Sequence, residues 1–103
     1  MTDFDKKSYL NSYLLQELRI KRLKKLIDIN PNEEYKKDLQ QAFLLRENIE
    51  KSINNVDGAI LSEILFQKYV FGKTLEEISF IINYSHRHTE RLHKKAIEKI
   101  NPI

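Results

Sequence analysis

The 103-residue sequence contains no cysteine and no tryptophan, and it has only two glycines, two prolines and one methionine. Without cysteine the chain can form no disulfide, no thiolate metal site and no thiol nucleophile. The scarcity of glycine and proline, with 32% charged and 41% apolar residues, favours long helices over a turn-rich sheet. We therefore expect an all-α protein, and the length suits one domain with a modest core.

Several kinds of functional segment are also missing. The N-terminal stretch MTDFDKKSYL lacks the basic start and apolar run of a signal peptide, and no stretch approaches the roughly 18 apolar residues of a membrane span. The sequence has no Gly-rich phosphate loop, no HExxH motif and no spacing that suggests a Ser/His/Asp triad. We expect a cytoplasmic protein without membrane contact or cofactor, and we do not expect an enzyme.

Positive charge is present in modest excess but is concentrated in two places. The formal net charge is +3, with a pI of about 9.1. Residues 19–25, RIKRLKK, carry five basic side chains in seven positions, and a second basic segment covers residues 84–100. The first patch is explained either as a solvated helix face beside an apolar seam or as a contact for DNA phosphates.

Two long amphipathic helices are predicted in the first half of the chain. The first runs from about Asp5 to Ile29, with apolar residues three and four apart, and it ends at Asn30-Pro31 because proline cannot continue the preceding turn. The second runs from about Pro31 to Asn54, with Asn30 as its cap and Glu33 as the reciprocal capping partner. Its apolar seam comprises Tyr35, Leu39, Ala42, Ile49, Ile53 and Val56.

Such a pair of helices predicts either an antiparallel hairpin within the chain or a coiled coil between chains. We assign residues 1–56 to this helical hairpin and expect it to serve dimerisation or partner docking. The turn-forming cluster at residues 54–58, NNVDG, is the best internal boundary, and residues 57–103 form the second predicted unit.

The second unit begins with a helix from Ala59 to about Phe71, closed by Gly72 as a left-handed cap. Wide burial is expected along this helix, because apolar residues occupy most of its positions. Among the aromatic residues, Phe66, Tyr69 and Phe71 are expected in the core, whereas Phe80, on the next helix, is expected to be partly exposed.

The remaining residues predict a helix-turn-helix. Thr74 and Glu77 form a capping box that opens a short helix to about Ile82. Asn83 tolerates the left-handed turn conformation and Tyr84 is expected to plug the turn. Ser85 then caps a longer basic helix to about Ile100. The buried stripe of that last helix is predicted to be Leu92, Ala96 and Ile100, which leaves the following residues outward: His86, Arg87, His88, Glu90, Arg91, Lys94 and Lys95.

A basic helix that buries one face can offer the other to the major groove of DNA. Residues in the N-terminal part of such a helix reach the base edges, and here these are His86, Arg87 and Arg91. Arginine can donate two hydrogen bonds to a guanine edge, and histidine can donate or accept. Lys94 and Lys95 lie farther along and are expected near the phosphates, where they position the helix without reading sequence.

These residues also resemble a known family. The stretch KYVFGKTLEEISFIINYSHRHTERLHKKAIEKI resembles the C-terminal promoter-reading domain of bacterial sigma factors. The matching pieces are Lys68-Tyr69 with Gly72, Leu75-Glu76-Glu77-Ile78, Ser85, and Lys95-Ala96-Ile97. Together with the helical N-terminal half, the stretch is most similar to small phage transcription regulators of the ArpU and RinA type.

The resemblance implies a sigma-like region that binds promoter DNA specifically and activates phage genes, with RNA polymerase as a further partner. It places His86, Arg87 and Arg91 at base-reading positions, and His88 and Lys95 near the DNA backbone. The sequence departs from the family pattern at three positions: Asn83 replaces a frequent glycine, Thr89 replaces an aliphatic residue, and Glu90 adds a negative charge that either accepts from a cytosine or repels phosphate.

Three other interpretations apply to these residues. A metal site is disfavoured, because His86 and His93 are seven residues apart, about 10 Å along a helix, and His88 points elsewhere. A second possibility is a sigma-shaped adaptor that binds RNA polymerase or another protein and has little DNA affinity. The third is a DNA-packaging adaptor similar to small terminase subunits, which also combine helix-turn-helix units with coiled-coil helices.

Overall fold

The computed structural model describes all 103 residues and is entirely helical, as the composition predicts. Five α-helices and one π-helical segment follow one another along the chain, and none of them combines the length and hydropathy needed to cross a membrane. They are α1 (Asp3–Ile29), α2 (Glu33–Asn54), α3 (Ala59–Leu65), the π segment (Phe66–Val70), α4 (Leu75–Ile82) and α5 (His86–Lys99).

Helices α1 and α2 form an antiparallel hairpin within the chain, which is one of the two arrangements that the sequence allows. The contacts between the helices show this orientation, because residue numbers rise along α1 as they fall along α2. The Tyr13 hydroxyl donates to Glu50 Oε1 at 2.5 Å, and one turn later on α1 the Glu17 Oε1 accepts from Arg46 Nη1 at 2.6 Å. The side chains buried along the hairpin recur at helical spacing, as an apolar stripe requires. They include Leu10, Tyr13, Ile20 and Leu23 on α1, and Ala42, Ile49 and Ile53 on α2.

The linker between α1 and α2 differs from the prediction. Asn32, rather than Asn30, caps α2, and its side chain accepts from the Glu34 backbone N–H at 2.7 Å. Asn30 instead ends α1, with its N–H donating to the Leu26 carbonyl. The predicted start at Pro31 and the capping pair with Glu33 are therefore wrong. The residue before a proline is driven out of the helical region, and Asn30 is accordingly extended, with φ of −145° and ψ of 93°.

One hydrophobic core joins the hairpin to the C-terminal helices. The fully buried residues from the two parts include Leu10 and Ile53 of the hairpin and Leu65, Ile97 and Ile100 of the rest. The Lys6 ammonium also donates to the Glu98 backbone carbonyl at 2.8 Å. The proposed division at residues 56 and 57 thus falls in a turn, and the segments on its two sides share a core.

The third predicted helix changes geometry before it ends. Its first part is α3, but from Phe66 to Val70 the backbone is π-helical, and the Phe71 N–H donates to the Phe66 carbonyl at 3.0 Å. Gly72 has a φ of 71°, which confirms the left-handed cap. Phe71 is 60% exposed, so its predicted place in the core is wrong: it lies at the end of the helix, where Gly72 turns the chain.

Candidate nucleic-acid interface

The α4–turn–α5 pair is held in place by local caps that the sequence predicts. The Thr74 hydroxyl accepts from the Glu77 N–H at 3.1 Å, and the Glu77 carboxylate accepts from the Thr74 N–H at 3.1 Å. Hydrogen bonding of the carboxylate to the Thr74 backbone N–H, with a further contribution from the Thr74 hydroxyl, lowers the pKa of Glu77 below its usual value. At the other end of α4, Asn83 is left-handed, with φ of 59° and ψ of 41°. The capping box and the left-handed asparagine are therefore confirmed.

Ser85 fixes the start of α5 through both its side chain and its backbone. Its hydroxyl accepts from the His88 N–H at 3.1 Å, and its carbonyl accepts from the Thr89 hydroxyl at 2.9 Å. Thr89 is fully buried where the sigma-like pattern has an aliphatic residue, and this bond satisfies its hydroxyl. Tyr84 does not plug the turn: it is 39% exposed, and its ring lies against the His88 ring with centroids 5.0 Å apart.

The buried face of α5 is rotated slightly from the predicted stripe. Ala96 and Ile100 are fully buried as expected, but Leu92 is only half-buried. The other buried positions on α5 are Thr89, His93 and Ile97. The spacing of four residues from Thr89 to His93 and from His93 to Ile97 is the sequence signal that could have placed this histidine in the core.

His93 pairs with a residue on another element. Its Nε2 lies 2.8 Å from the Tyr69 hydroxyl oxygen, and the two rings stack with centroids 5.8 Å apart. Burial lowers the pKa of His93 to about 4, with a further contribution from the positive charges of Lys68 and Lys7. The pair thus ties α5 to the π segment, and His93 faces the interior rather than a ligand.

The outer face of α5 presents the predicted DNA-contacting residues. His86, Arg87, Arg91, Lys94 and Lys95 are exposed, and His88 is half-buried. Arg87, Arg91 and Lys94 follow one another at spacings of four and three, so they lie along one side of the helix. Neither arginine forms an ion pair with another part of the chain. Both guanidinium groups are therefore accessible to an approaching polyanion.

Two local pairs organise this outer face. His86 Nε2 lies 3.3 Å from Glu90 Oε1, and His88 Nδ1 lies 3.2 Å from Arg91 Nη2. A guanidinium group can only donate, so His88 Nδ1 accepts and must be unprotonated in this pair. The sequence did not predict either contact. Consequently Arg91 is held on one side by His88, whereas Arg87 has no such restraint.

The basic segment at residues 19–25 lies on the hairpin. Arg19 is half-buried and donates to Gln41 Oε1 at 3.3 Å, while Lys24 lies over the Phe43 ring, 5.6 Å from its centroid. Lys21, Arg22 and Lys25 are exposed. Part of the segment therefore packs on α2, and part faces solvent.

Comparison with known proteins adds no assignment to this geometry. No protein-family model matches the chain, and no curated protein or solved structure is significantly similar to it. The features that bear on function are therefore the chain's own residues, above all those on the outer face of α5.

Proposed function

We propose that this protein is a sequence-specific DNA-binding regulator of transcription, with α4 and α5 acting as a sigma-like helix-turn-helix and α5 as the recognition helix. The observation that carries the proposal is the arrangement of α5. One face is anchored in the core by residues such as Ala96 and Ile97, while Arg87, Arg91 and Lys94 line the opposite, exposed side. An anchored helix with a cationic outer face is suited to the major groove, which admits a single α-helix.

Within this proposal the residues of α5 divide into two roles. His86, Arg87 and Arg91, in the first half of the helix, contact base edges. His88, Lys94 and Lys95 contact the DNA backbone. Arg87 has the unrestrained guanidinium and is expected to make the main bidentate contact with a guanine, which is worth roughly 1–3 kcal/mol of discrimination.

Charge on the outer face supports the same proposal. Glu90 is the acidic residue nearest the predicted readers, and its carboxylate lies 3.3 Å from His86 Nε2. Without counting any histidine, Arg87, Arg91, Lys94 and Lys95 outnumber this one carboxylate and leave a positive excess on the outer face. Positive charge along one helix is the electrostatic requirement for contact with phosphates.

The decisive experiment combines selection with substitution. Bound duplexes are selected from a random pool, and their affinity is measured by fluorescence anisotropy at fixed salt. The Arg87→Ala variant should lose affinity for the selected site by roughly 1–3 kcal/mol and relax base preference at one position. The matched control is Arg22→Ala on the hairpin, which should leave base preference unchanged. Unaltered preference in Arg87→Ala and Arg91→Ala would show that α5 is not the recognition helix.

A second candidate function is a protein-binding adaptor of sigma-like shape, with RNA polymerase as the partner. The observation in its favour is a set of exposed apolar side chains around α4: Phe71 is 60% exposed, Phe80 is 78% exposed and Ile81 is 52% exposed. Large exposed apolar side chains can contribute to protein contact sites. Capture of purified polymerase without any shift of duplex DNA would favour this candidate, and Phe80→Ser should then weaken capture.

A further inference from the structure

A groove lies between the N-terminal end of α3 and the flank of α5. Its volume is about 370 Å³, and it is open to solvent along one side. Leu61 forms its buried floor, Ile60 lies on the α3 side, and the wall on the α5 side includes His88, Leu92 and Lys95. A concave surface can enclose an inserted side chain on several sides.

The lining of the groove is apolar except at the side formed by α5. Ile60 is 37% exposed and Tyr84 is 39% exposed, so each still offers apolar surface that an occupant could cover. The Tyr84 ring packs on His88 and thereby extends the wall beyond the start of α5. Burying such surface is favourable by roughly 25 cal/mol per Å², so the groove can hold an apolar group.

The positive charge of Lys95 at the groove favours an occupant that carries negative charge. Lys95 and His88 are its only ionisable lining residues apart from the Tyr84 phenol, and no carboxylate lines it. Lys95 takes part in none of the ion pairs within the chain. An occupant that complements both features therefore has an apolar body with negative charge beside it.

We propose that this groove binds an acidic peptide segment of a partner protein, which inserts one large apolar side chain against Leu61 and Leu92 and sets its carboxylates beside Lys95. Small-molecule pockets usually bury most of their ligand and reach about 300–1,000 Å³. This groove is at the low end of that range and is open on one side, so it suits a single anchored side chain of a longer segment.

The site has a regulatory consequence that rests on the proposed DNA-binding function. His88 and Lys95 are assigned there to the DNA backbone, and the same two side chains line the groove. A bound acidic peptide would cover both side chains and place carboxylates where phosphates would otherwise lie. Peptide and DNA therefore compete, and a partner carrying such a segment would release the protein from DNA.

The test uses the full chain and a defined probe, the blocked peptide acetyl-Asp-Asp-Leu-Phe-Asp-Asp-amide. Binding is followed by methyl chemical shifts, with Ile60, Leu61 and Leu92 as reporters of the groove. We expect these methyl groups to shift and saturate, whereas Leu14 and Leu18 on the hairpin do not. Lys95→Gln should weaken binding by about fivefold, and Lys94→Gln, outside the groove, should have little effect.

Three results would overturn the site assignment: equal shifts with a Lys-Lys-Leu-Phe-Lys-Lys peptide, shifts confined to the hairpin leucines, or no shift at millimolar peptide. If 4-phenylbutyrate shifts the same methyl groups as strongly as the peptide does, the groove binds a small carboxylate and the peptide assignment is wrong. Competition is measured separately with labelled duplex. Peptide binding at the groove without DNA release would refute the regulatory step, whereas an absence of any DNA binding would refute the proposed function and leave the site intact.

Discussion

The Tyr69 hydroxyl lies 2.8 Å from His93 Nε2 at the junction between the π segment and α5. Both groups are buried, and burial raises the pKa of Tyr69 to about 12 while it lowers the pKa of His93 to about 4. Both side chains are therefore neutral near pH 7, and their hydrogen bond needs no compensating charge. The pair ties α5 to the π segment, and together with the buried residues Ala96 and Ile97 it holds the opposite side of that helix outward.

The first prediction concerns the pH dependence of stability. The pKa of His93 is lower in the folded protein than its ordinary value of 6.5, so below pH 6.5 the unfolded chain binds a proton that the folded chain does not. Stability is therefore fully present above pH 6.5 and should fall as the pH drops toward 4, by about 2 kcal/mol once solvent screening is allowed for. Urea unfolding at a series of pH values measures this slope.

A pair of variants assigns the slope to one histidine. His93→Leu should flatten the dependence between pH 6.5 and pH 5, where carboxylates titrate little. His86→Gln, on the exposed face, should retain it. If the stability of His93→Leu depends on pH as strongly as that of the wild type, another group is responsible. Lys68 and Lys7, the charged groups near His93, do not titrate in this range and cannot produce the dependence themselves.

The second prediction concerns the turn before α5. Asn83 is the one residue other than glycine with a positive φ, at 59°, a conformation that costs most side chains roughly 1 kcal/mol or more. Asn83→Ala should lower the free energy of unfolding by about 1 kcal/mol, whereas Asn83→Gly should be close to neutral. Thermal unfolding of both variants provides the measurement, and equal losses would mean that the asparagine side chain, rather than the backbone conformation, is needed.

Helix ends were predictable where the signal lies within a few neighbouring residues. Thr74 and Glu77 satisfy each other's backbone groups, and Gly72 and Asn83 can adopt a left-handed conformation in any fold, so these boundaries follow from local chemistry. The residue that caps α2 was harder to predict, because an asparagine stands on each side of Pro31. Either could cap α2, and the path of the backbone decides between them.

Positions that depend on packing between distant segments were harder to predict. Histidine is a polar residue that is usually expected at the surface. The burial of His93 depends on a hydrogen bond to the Tyr69 hydroxyl, which is 24 residues away in the sequence. The π segment likewise leaves no pattern in residues 66–70 that differs from an ordinary apolar helix. On the candidate interface, the outward set on α5 followed from periodicity, but the pairing of His88 with Arg91 required the positions of the side chains.

The third prediction concerns the oligomeric state. The hairpin exposes Leu14, Leu15 and Leu18 on α1, at 62%, 64% and 54% respectively, beyond the stripe that packs on α2. If residues 1–56 serve dimerisation, this row is the surface available for it. Sedimentation of the wild-type chain should then show a dimer, and Leu14→Gln with Leu18→Gln should shift it to monomer. The control is Leu44→Gln, on α2, which should leave the mass unchanged.

The fourth prediction concerns the contact between His88 and Arg91. Since His88 Nδ1 accepts from the guanidinium at 3.2 Å, it positions Arg91 for its partner base. His88→Ala should relax base preference at the Arg91 position, whereas His88→Asn, which keeps an acceptor near Nδ1, should retain more of it. The measurement is competition among duplexes that differ at that base pair. Equal loss in the two variants would show that His88 does not act by positioning Arg91.

The last prediction separates charge from sequence reading. Lys94 and Lys95 are exposed and form no ion pair within the chain, so each is expected to neutralise about one phosphate. Lys95→Ala should weaken binding to all duplexes by a similar factor and reduce the slope of log affinity against log salt by about 1. The control is Lys51→Ala, because Lys51 already pairs with Glu47 at 3.2 Å and should change neither quantity. A changed base preference with an unchanged slope in Lys95→Ala would place this lysine at a base edge.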